Sequence, residues 1–283
     1  MEENVIRSSV VKRDASDSRS WLATAPICEP LSQHHIAHCG MMHAVSPMKI
    51  VRTYLSGTFF LATVKGAGQV LVDGDWQTIS PGLACVQPPF MSNALRCLKK
   101  TAWHFCWVRY HERAGVQPVA SIQSPSVREF NALAFQAAIQ GLHAEASTTA
   151  SPAFMQQWAD LVQQYVLAFV SPFRSDHRLH RVWIAVADRL DRSWTLDDLA
   201  KIACMSKEHL RRMSLATLGR SPMQQVTYIR LKHAAELLTH SELKVSAISA
   251  IVGYDNAFAF SDMFRRWTGY RPSVYRNFGR PKS

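Results

Sequence analysis

One helical pattern occurs twice between Thr195 and Gly269, and this repeat limits the possible folds more than any other feature of the chain. Each copy is a short helix with an apolar stripe, a tight turn, and a second helix with a polar leading edge. The first reads TLDDLAKIACMSKEHLRRM and the second KVSAISAIVGYDNAFAFSDMFRRW. In the first, Leu196, Leu199, Ile202 and Ala203 recur at helical spacing, and small Ala200 and Ala203 let the next helix cross closely. Thr195 with Asp198 fits a variant capping box, Ser206 fits the cap of the second helix, and Gly219 its end. That second helix should bury Leu210, Met213 and Leu218, leaving Lys207, Glu208, His209, Arg211 and Arg212 on its open face.

A spacer helix joins the copies. Ser221 caps it, Pro222 sits at the tolerated first turn, and Gln224 completes a capping box. Val226, Ile229, Ala234, Leu237 and Leu238 are its expected buried positions. In the second copy Val245, Ile248, Ile251 and Val252 stripe one helix, and Gly253 breaks it. Phe260, Phe264 and Trp267 stripe the next, with Asn256, Ala257, Phe258, Ser261 and Asp262 left facing outward. An outward Phe is odd on a plain surface, but apolar contact with a thymine methyl is one use for it. Arg265, Arg266, Arg271 and Arg276 lie downstream, where phosphate contact is expected rather than base reading.

Charge agrees with this placement. The net charge is +11, and residues 176–283 hold 18 Lys+Arg against 10 Asp+Glu, while residues 1–175 hold 14 against 11. A basic half beside a near-neutral half fits a nucleic-acid reader joined to something else, although a merely basic surface gives the same count. An α-helix fits the major groove of B-DNA, where each base pair shows its own donor and acceptor pattern. Two such helices on one rigid domain should sit about one turn, ~34 Å, apart along the duplex. Phosphate contacts would supply much of the affinity and make it salt dependent.

Ahead of this region the texture is β. VRTYLSG, TFFLATVKG, GQVLVDGDWQTIS, GLACVQPP and WHFCWVRYH are short runs rich in β-branched and aromatic residues, split by Gly, Pro and Asp. Asp73-Gly74 is a hairpin-turn signal, and many such strands argue for a sandwich or small barrel. Helical spacing then begins at Val127 and continues to His143, and a second helix is expected over about 153–173 with Phe154, Trp158, Leu161, Val162, Tyr165 and Phe169 as its stripe. That stripe suits packing on the β domain and suits a self-pairing helix equally. The polar first 20 residues lack an apolar segment and read as a mobile arm, not a secretory signal. No run approaches the ~18 apolar residues of a membrane span. The six cysteines follow no framework spacing and read as reduced thiols in a cytoplasmic protein.

The runs SKEHLRRMSLATLGRSPMQQVTYIRLKHAAELL and VSAISAIVGYDNAFAFSDMFRRWTGYRPSVYR resemble the C-terminal DNA-binding domain of the AraC/XylS family of bacterial transcription regulators. The resemblance covers about Leu179 to Arg276. The family's spacer motif stands here as Arg230, Leu231, Ala234, Leu237 and Leu238, and its tail motif as Gly253, Tyr254, Phe260, Phe264, Arg265, Gly269, Pro272, Tyr275 and Arg276. It implies base contacts from Glu208, Arg211 and Arg212 in the first copy and from Ala257, Phe258, Ser261 and Asp262 in the second. One departure matters. The family often has a basic or neutral polar residue where Asp262 stands; an acid can accept from cytosine N4 but repels phosphate, so a weaker second helix is implied.

The resemblance also implies an N-terminal cupin-like β-barrel that binds a small effector, often a sugar, and a helical pair that dimerises. The expected fold is therefore an α+β two-domain chain. It comprises an arm (1–20), an effector-binding barrel (21–122), a helical dimerisation region (123–174), a linker (175–180) and an all-α domain (181–283) with helix-turn-helix motifs at about 195–219 and 244–269. Expected partners are double-stranded DNA, RNA polymerase, a small effector such as a sugar, and a second copy of the chain, with no membrane. Candidate effector residues are Tyr54, Trp76, Trp103, His104, Trp107 and Arg109, aromatic platforms beside hydrogen-bonding groups; plain core packing is the competing role for each aromatic. Alternation puts Trp103, Phe105 and Trp107 on one strand face and His104, Cys106 and Val108 on the other, and either face can be the lumen. The barrel runs lack the His-x-His and Glu set of metal-dependent cupins. His34, His35, His38, Cys39 and His43 form the one local set of ligand-type residues, and no metal or other cofactor is expected. Two other readings compete with an effector-controlled activator: a constitutive DNA-binding protein whose barrel only dimerises, and a cupin enzyme fused to a DNA reader.

Overall fold

The computed structural model describes residues 5–52, 57–89, 93–112, 118–121, 124–148, 151–171 and 177–278. They divide into two units. The first runs up to Leu71, from Trp76 to Ser121 and from Val127 to Val170; the second holds the chain from Ser171 onward together with Val72–Asp75 and residues 124–126.

Among the described residues ten strands form two sheets, almost wholly within the first unit: β1 (Val5–Lys12), β2 (Ile36–Val45), β3 (Lys49–Arg52), β4 (Phe59–Gly66), β5 (Gly68–Val72), β6 (Asp75–Ile79), β7 (Leu83–Gln87), β8 (Asn93–Cys97), β9 (Ala102–Tyr110) and β10 (Val127–Glu129). One sheet has the order β1-β2-β9-β4-β7-β10 and the other β3-β8-β5-β6. Alternation along β9 fixes what each face of the first sheet covers. Cys106, Val108 and Tyr110 join Phe60, Ala62 and Val86 against the helices α1 (Ala132–Ala146) and α2 (Pro152–Val170), which contribute Phe135, Ile139, Leu142, Val162, Val166 and Phe169. Phe60 meets Phe130, Phe135 and Phe169 edge-on at 5.1–5.3 Å between ring centroids, a geometry that adds to the ~2 kcal/mol each buried ring gains from leaving water. Trp103, Phe105 and Trp107 take the opposite face, toward the second sheet. There the Trp103 Nε1–H donates to Thr63 Oγ1 (3.0 Å) and the Gln87 amide donates to the Leu71 carbonyl (3.0 Å).

The turn expected at Asp73-Gly74 joins β5 and β6, both residues at positive φ (53° and 86°) as a tight hairpin requires. Three expectations need correction. Residues 5–12 of the arm form β1 and pair with β2, because Val10 and Val11 have a buried surface to cover and the strand supplies it. Residues 127–129 are strand, not helix: they pair with β7, the Phe130 amide donates to the Gly82 carbonyl (2.8 Å), and α1 begins only after Asn131, whose side chain caps it. The first helix of the last domain begins at His177 rather than Arg181.

The second unit is helical: α3 (His177–Asp188), α4 (Leu196–Ala203), α5 (Lys207–Leu218), α6 (Pro222–His240), α7 (Val245–Ile251), α8 (Ala257–Thr268) and α9 (Pro272–Phe278). The capping boxes at Thr195/Asp198 and Ser221/Gln224 are both made, and Ser206 caps α5. Val252 and Ile248 are buried between the helices, but Ile251, expected in the same stripe, lies on the surface. Gly253 follows α7 at φ +77°, and a Cβ there would stand 2.4 Å from the Leu190 carbonyl oxygen. That oxygen accepts from Arg230 Nε (3.0 Å), whose Nη2 donates to the Arg192 carbonyl (2.7 Å). The spacer-helix arginine thus braces the loop after α3. Among the described residues no helix is long and apolar enough to cross a membrane.

Candidate nucleic-acid interface and sheet interior

Each helix-turn-helix pair is held by a buried stripe that leaves one face of its second helix in solvent. In α5, Leu210, Ser214 and Leu218 are buried and Lys207, Glu208, Arg211 and Arg212 are exposed. Their ion pairs lie at the surface, Lys207 to Asp197 (3.0 Å) and Arg211 to Glu208 (3.6 Å), where water competes and little is lost on exchange for another anion. Arg212 approaches His209 Nδ1 (3.1 Å) on the same face. The turn before α5 carries Cys204 at φ 52°, a left-handed position without a glycine.

In α8 the buried set is Phe260, Phe264, Trp267 and Thr268. Phe258 is 84% exposed at the leading end, beside exposed Asp262 and half-buried Ala257 and Ser261. Asn256 has a local duty that the sequence reading missed: its Oδ1 accepts from the Phe258 and Ala259 amides (2.8 and 3.2 Å) and caps the helix. The signal was present, an Asn just ahead of an apolar-periodic run.

The four downstream arginines differ. Arg265 and Arg271 are exposed. Arg266 is exposed but pairs with Asp75 (2.7 Å). Arg276 donates to the Ser241 carbonyl (2.6 Å) and to the Leu243 carbonyl, tying α9 to the end of α6. A fifth arginine, Arg220, was not singled out from sequence. It is buried, its guanidinium donates to both Asp73 carboxylate oxygens (2.5 and 3.1 Å) and to the Ser124 carbonyl (3.2 Å), and it lies 3.8 Å from the Tyr228 ring centroid. Burial alone lowers its pKa, but the Asp73 carboxylate outweighs that and the net direction is upward. Asp73 also accepts from Trp267 Nε1 (3.1 Å).

A helix-turn-helix domain model matches residues 199–277. The chain is 32% identical over 117 residues to an uncharacterised HTH-type transcriptional regulator of Haemophilus influenzae, covering 41% of this chain and 38% of that protein. It is 37% identical over 83 residues to the lactose operon transcription activator of Staphylococcus xylosus, covering 29% and 30%. Among solved structures, the C-terminal domain of the response regulator AraT from Geobacillus stearothermophilus is 32% identical, covering 39% of this chain and 91% of that one, with a TM-score of 0.36. The C-terminal region carries a helix-turn-helix domain of the AraC/XylS type. The chain spans less than two fifths of the length of the curated relatives named here.

The AraC/XylS-type motifs sit in the C-terminal unit; the effector candidates lie elsewhere. Tyr54 is outside the described residues. Trp76 stacks under the Arg96 guanidinium (4.1 Å). His104 is on the helix-facing side of β9, against the His43 ring (3.9 Å), and partial burial, then His43 and Lys65, lower its pKa. Trp103, Trp107 and Arg109 share the buried inner face. Trp107 donates to His38 Nδ1 (3.1 Å), and Arg109 donates to the Thr58 carbonyl (3.5 Å) and the Tyr110 carbonyl. Burial, with a smaller contribution from Arg19 and against Glu112, brings the Arg109 pKa down to about 10.

The ligand-type residues at 34–43 separate in space. His34 pairs with Asp160 on α2 (2.7 Å), Cys39 enters the helix-facing core, and His38 takes the opposite face. No group of three or more His, Cys, Asp or Glu suited to a metal occurs among the described residues. Five cysteines are buried and Cys204 is exposed. Burial holds the Cys85 and Cys106 thiols up at about 12, far from the thiolate form that redox chemistry uses.

Proposed function

We propose that the chain is a sequence-specific DNA-binding transcription regulator, an activator, controlled by a small effector held between the two sheets of its N-terminal unit. The observation that carries the reading is the pair of helices, α5 and α8, each second in a helix-turn-helix and each with a solvent face of recognition-type residues. In this reading Glu208, Arg211 and Arg212 read bases from α5, and Ala257, Phe258, Ser261 and Asp262 from α8. Asn256 contributes by fixing the first turn of α8, and Lys207 stands at the rim of the α5 face. Arg265 and Arg271 contact phosphate; Arg266 does so after exchanging Asp75 for it, and Arg276 acts through the position of α9.

The activity is cytoplasmic, where DNA and RNA polymerase are met, and the active species is a homodimer. Helix α2 leaves Phe154, Leu161 and Leu167 exposed, an apolar face that supports self-association beside the stripe it packs inward. An effector shifts the regulator between forms only by binding them unequally, so its affinity must differ between the DNA-bound and unbound protein.

The test is binding to a selected duplex and to a scrambled one across a salt series. Arg212→Ala should weaken the selected duplex and relax preference at one base pair. Arg265→Ala should weaken both duplexes alike and lower the magnitude of the salt slope by about 1. Equal, sequence-independent losses from the two changes would show the roles to be misassigned. Affinity unmoved by any effector that binds the protein would favour a constitutive DNA-binding protein whose sheets only support dimerisation.

A further inference from the structure

Acids are missing from most of the chain that forms the two sheets. None occurs between Glu29 and Asp73 or between Asp75 and Glu112, while both stretches carry Lys and Arg. Strand register gathers Lys49, Lys65, Arg96, Lys99 and Lys100 at one end of the sheets. Lys65 lies near the end of β4, opposite His104 near the start of β9. Lys49 opens β3 opposite Arg96 on β8. Lys99 and Lys100 lie in the turn from β8 to β9, closed by the Thr101 amide donating to the Leu98 carbonyl (3.3 Å). Pairing ties these positions into one edge: Gly66 lies opposite Trp103, Gly68 opposite Cys97, and Val45 opposite Ala102.

The four lysines are exposed, and none of them makes an ion pair among the described residues. Arg96 is half-buried and held by neutral groups: its Nε donates to Gln69 Oε1 (2.9 Å), and its guanidinium lies 4.1 Å from the Trp76 ring centroid. Elsewhere the same unit does compensate its cations, Arg13 with Asp14 and Arg19 with Asp17. Lys100 stands at φ 58°, in the left-handed region, so a lysine there carries a conformational cost that a glycine would not.

Uncompensated like charges set side by side make a positive potential at this edge and draw anions to it. The other exposed residues there, Val45, Pro47, Gly66 and Ala102, are small or aliphatic. A protein partner calls for the opposite composition, since interface centres are rich in aromatic side chains and poor in lysine. A phosphate backbone needs only point charges that reach it, which lysine supplies without a fixed geometry.

We propose that this basic edge is a second DNA contact, which holds the phosphate backbone of duplex outside the stretch read by α5 and α8. It adds affinity without base preference, because phosphates carry no sequence information. The proposal rests on the DNA-binding reading above.

The test compares the full-length protein on a selected duplex as a bare site and with about 20 base pairs added at each end, across a salt series. The flanks should strengthen binding about tenfold at ~0.1 M salt and steepen the log–log salt slope by about 3. The combined Lys49→Gln, Lys65→Gln, Lys99→Gln, Lys100→Gln variant should lose both gains while keeping its bare-site affinity and melting temperature. Lys100→Gly alone should raise the melting temperature yet cut the slope gain by about 1, which a purely structural role for Lys100 would not do. Flanks that add nothing to the unaltered protein overturn the inference and leave the groove-reading helices standing. A flank gain that the combined variant keeps overturns it too, and a transcription defect of that variant with purified polymerase would then assign the edge to a protein partner. Equal losses on bare and flanked duplexes would place the lysines at the read site and overturn the inference. No preference for the selected duplex over a scrambled one overturns both this proposal and the reading beneath it.

Discussion

The C-terminal unit carries its proposed recognition residues outside an apolar interior, whereas the N-terminal unit carries polar groups between its layers. Arg211, Arg212 and Asp262 are exposed on helices whose opposite faces are filled by Leu210, Phe260 and Phe264. His38 and Gln87 are instead almost wholly buried on strands β2 and β7, whose opposite faces pack against α1 and α2, and Asn93 is as deeply buried on β8 of the smaller sheet. Under the proposed function, the difference follows from the size of what each unit binds. A polymer wider than the domain can only be read by a surface. A small molecule is held by surrounding it, which requires polar atoms where water does not reach.

The largest expected effect tests a place where the C-terminal unit breaks its own rule and buries a charge. Asp73→Ala leaves the Arg220 guanidinium buried without its carboxylate and should destabilise the unit by about 3 kcal/mol in denaturant titration. Arg220→Met, which removes the charge at similar length, should cost clearly less. Equal losses would mean that packing, not the unpaired charge, sets the effect.

Next in size is a change on the reading surface. Arg212→Ala should cost about 2 kcal/mol of specific DNA binding, roughly thirtyfold, with no change in the unfolding midpoint. A comparable loss of stability would place the residue in the fold rather than the interface.

A pH series sharpens the comparison from the other side. Burial, then Arg19 and Arg109, depress the His38 pKa well below its ordinary 6.5; Asp17 opposes this and Arg52 adds to it, with Lys12 on the neighbouring strand. The unfolded chain therefore takes up a proton below about pH 6.5 that the folded chain refuses. Stability should be level in this contribution above that value and fall as pH drops beneath it, by up to ~1.4 kcal/mol per pH unit. His38→Gln should flatten that part of the profile, and an unchanged slope would count against a buried neutral imidazole.

The smallest effect lies in the first helix-turn-helix turn. Cys204→Gly relieves a left-handed non-glycine residue at an exposed site and should stabilise by up to about 1 kcal/mol, read as a higher unfolding midpoint.

Legibility in the sequence divides along the same line. Caps and stripes act within a few residues of each other, so Thr195, Asp198, Ser206, Ser221 and Gln224 could be assigned from spacing, and the structure places each in its cap. Phe258 could be set outward for the same reason, since its neighbours Phe260 and Phe264 fill the inward positions. The row His38–Arg109–Phe59–Gln87 depends on register between strands far apart in sequence, and alternation along β9 alone could not say which face was inner. Arg220 was hidden for a related reason, its partner Asp73 lying 147 residues away. Residues 5–12 and 127–129 were misread because short edge strands take their form from the strand they join, not from their own composition.

The most direct measurement is selection of duplexes from a random library by the full-length protein, followed by sequencing. Two preferred blocks centred about 10 base pairs apart are expected, with the block read by α8 altered by Phe258→Ala and the block read by α5 altered by Arg212→Ala. A single block, or enrichment without sequence preference, would contradict the proposal that both helices read DNA.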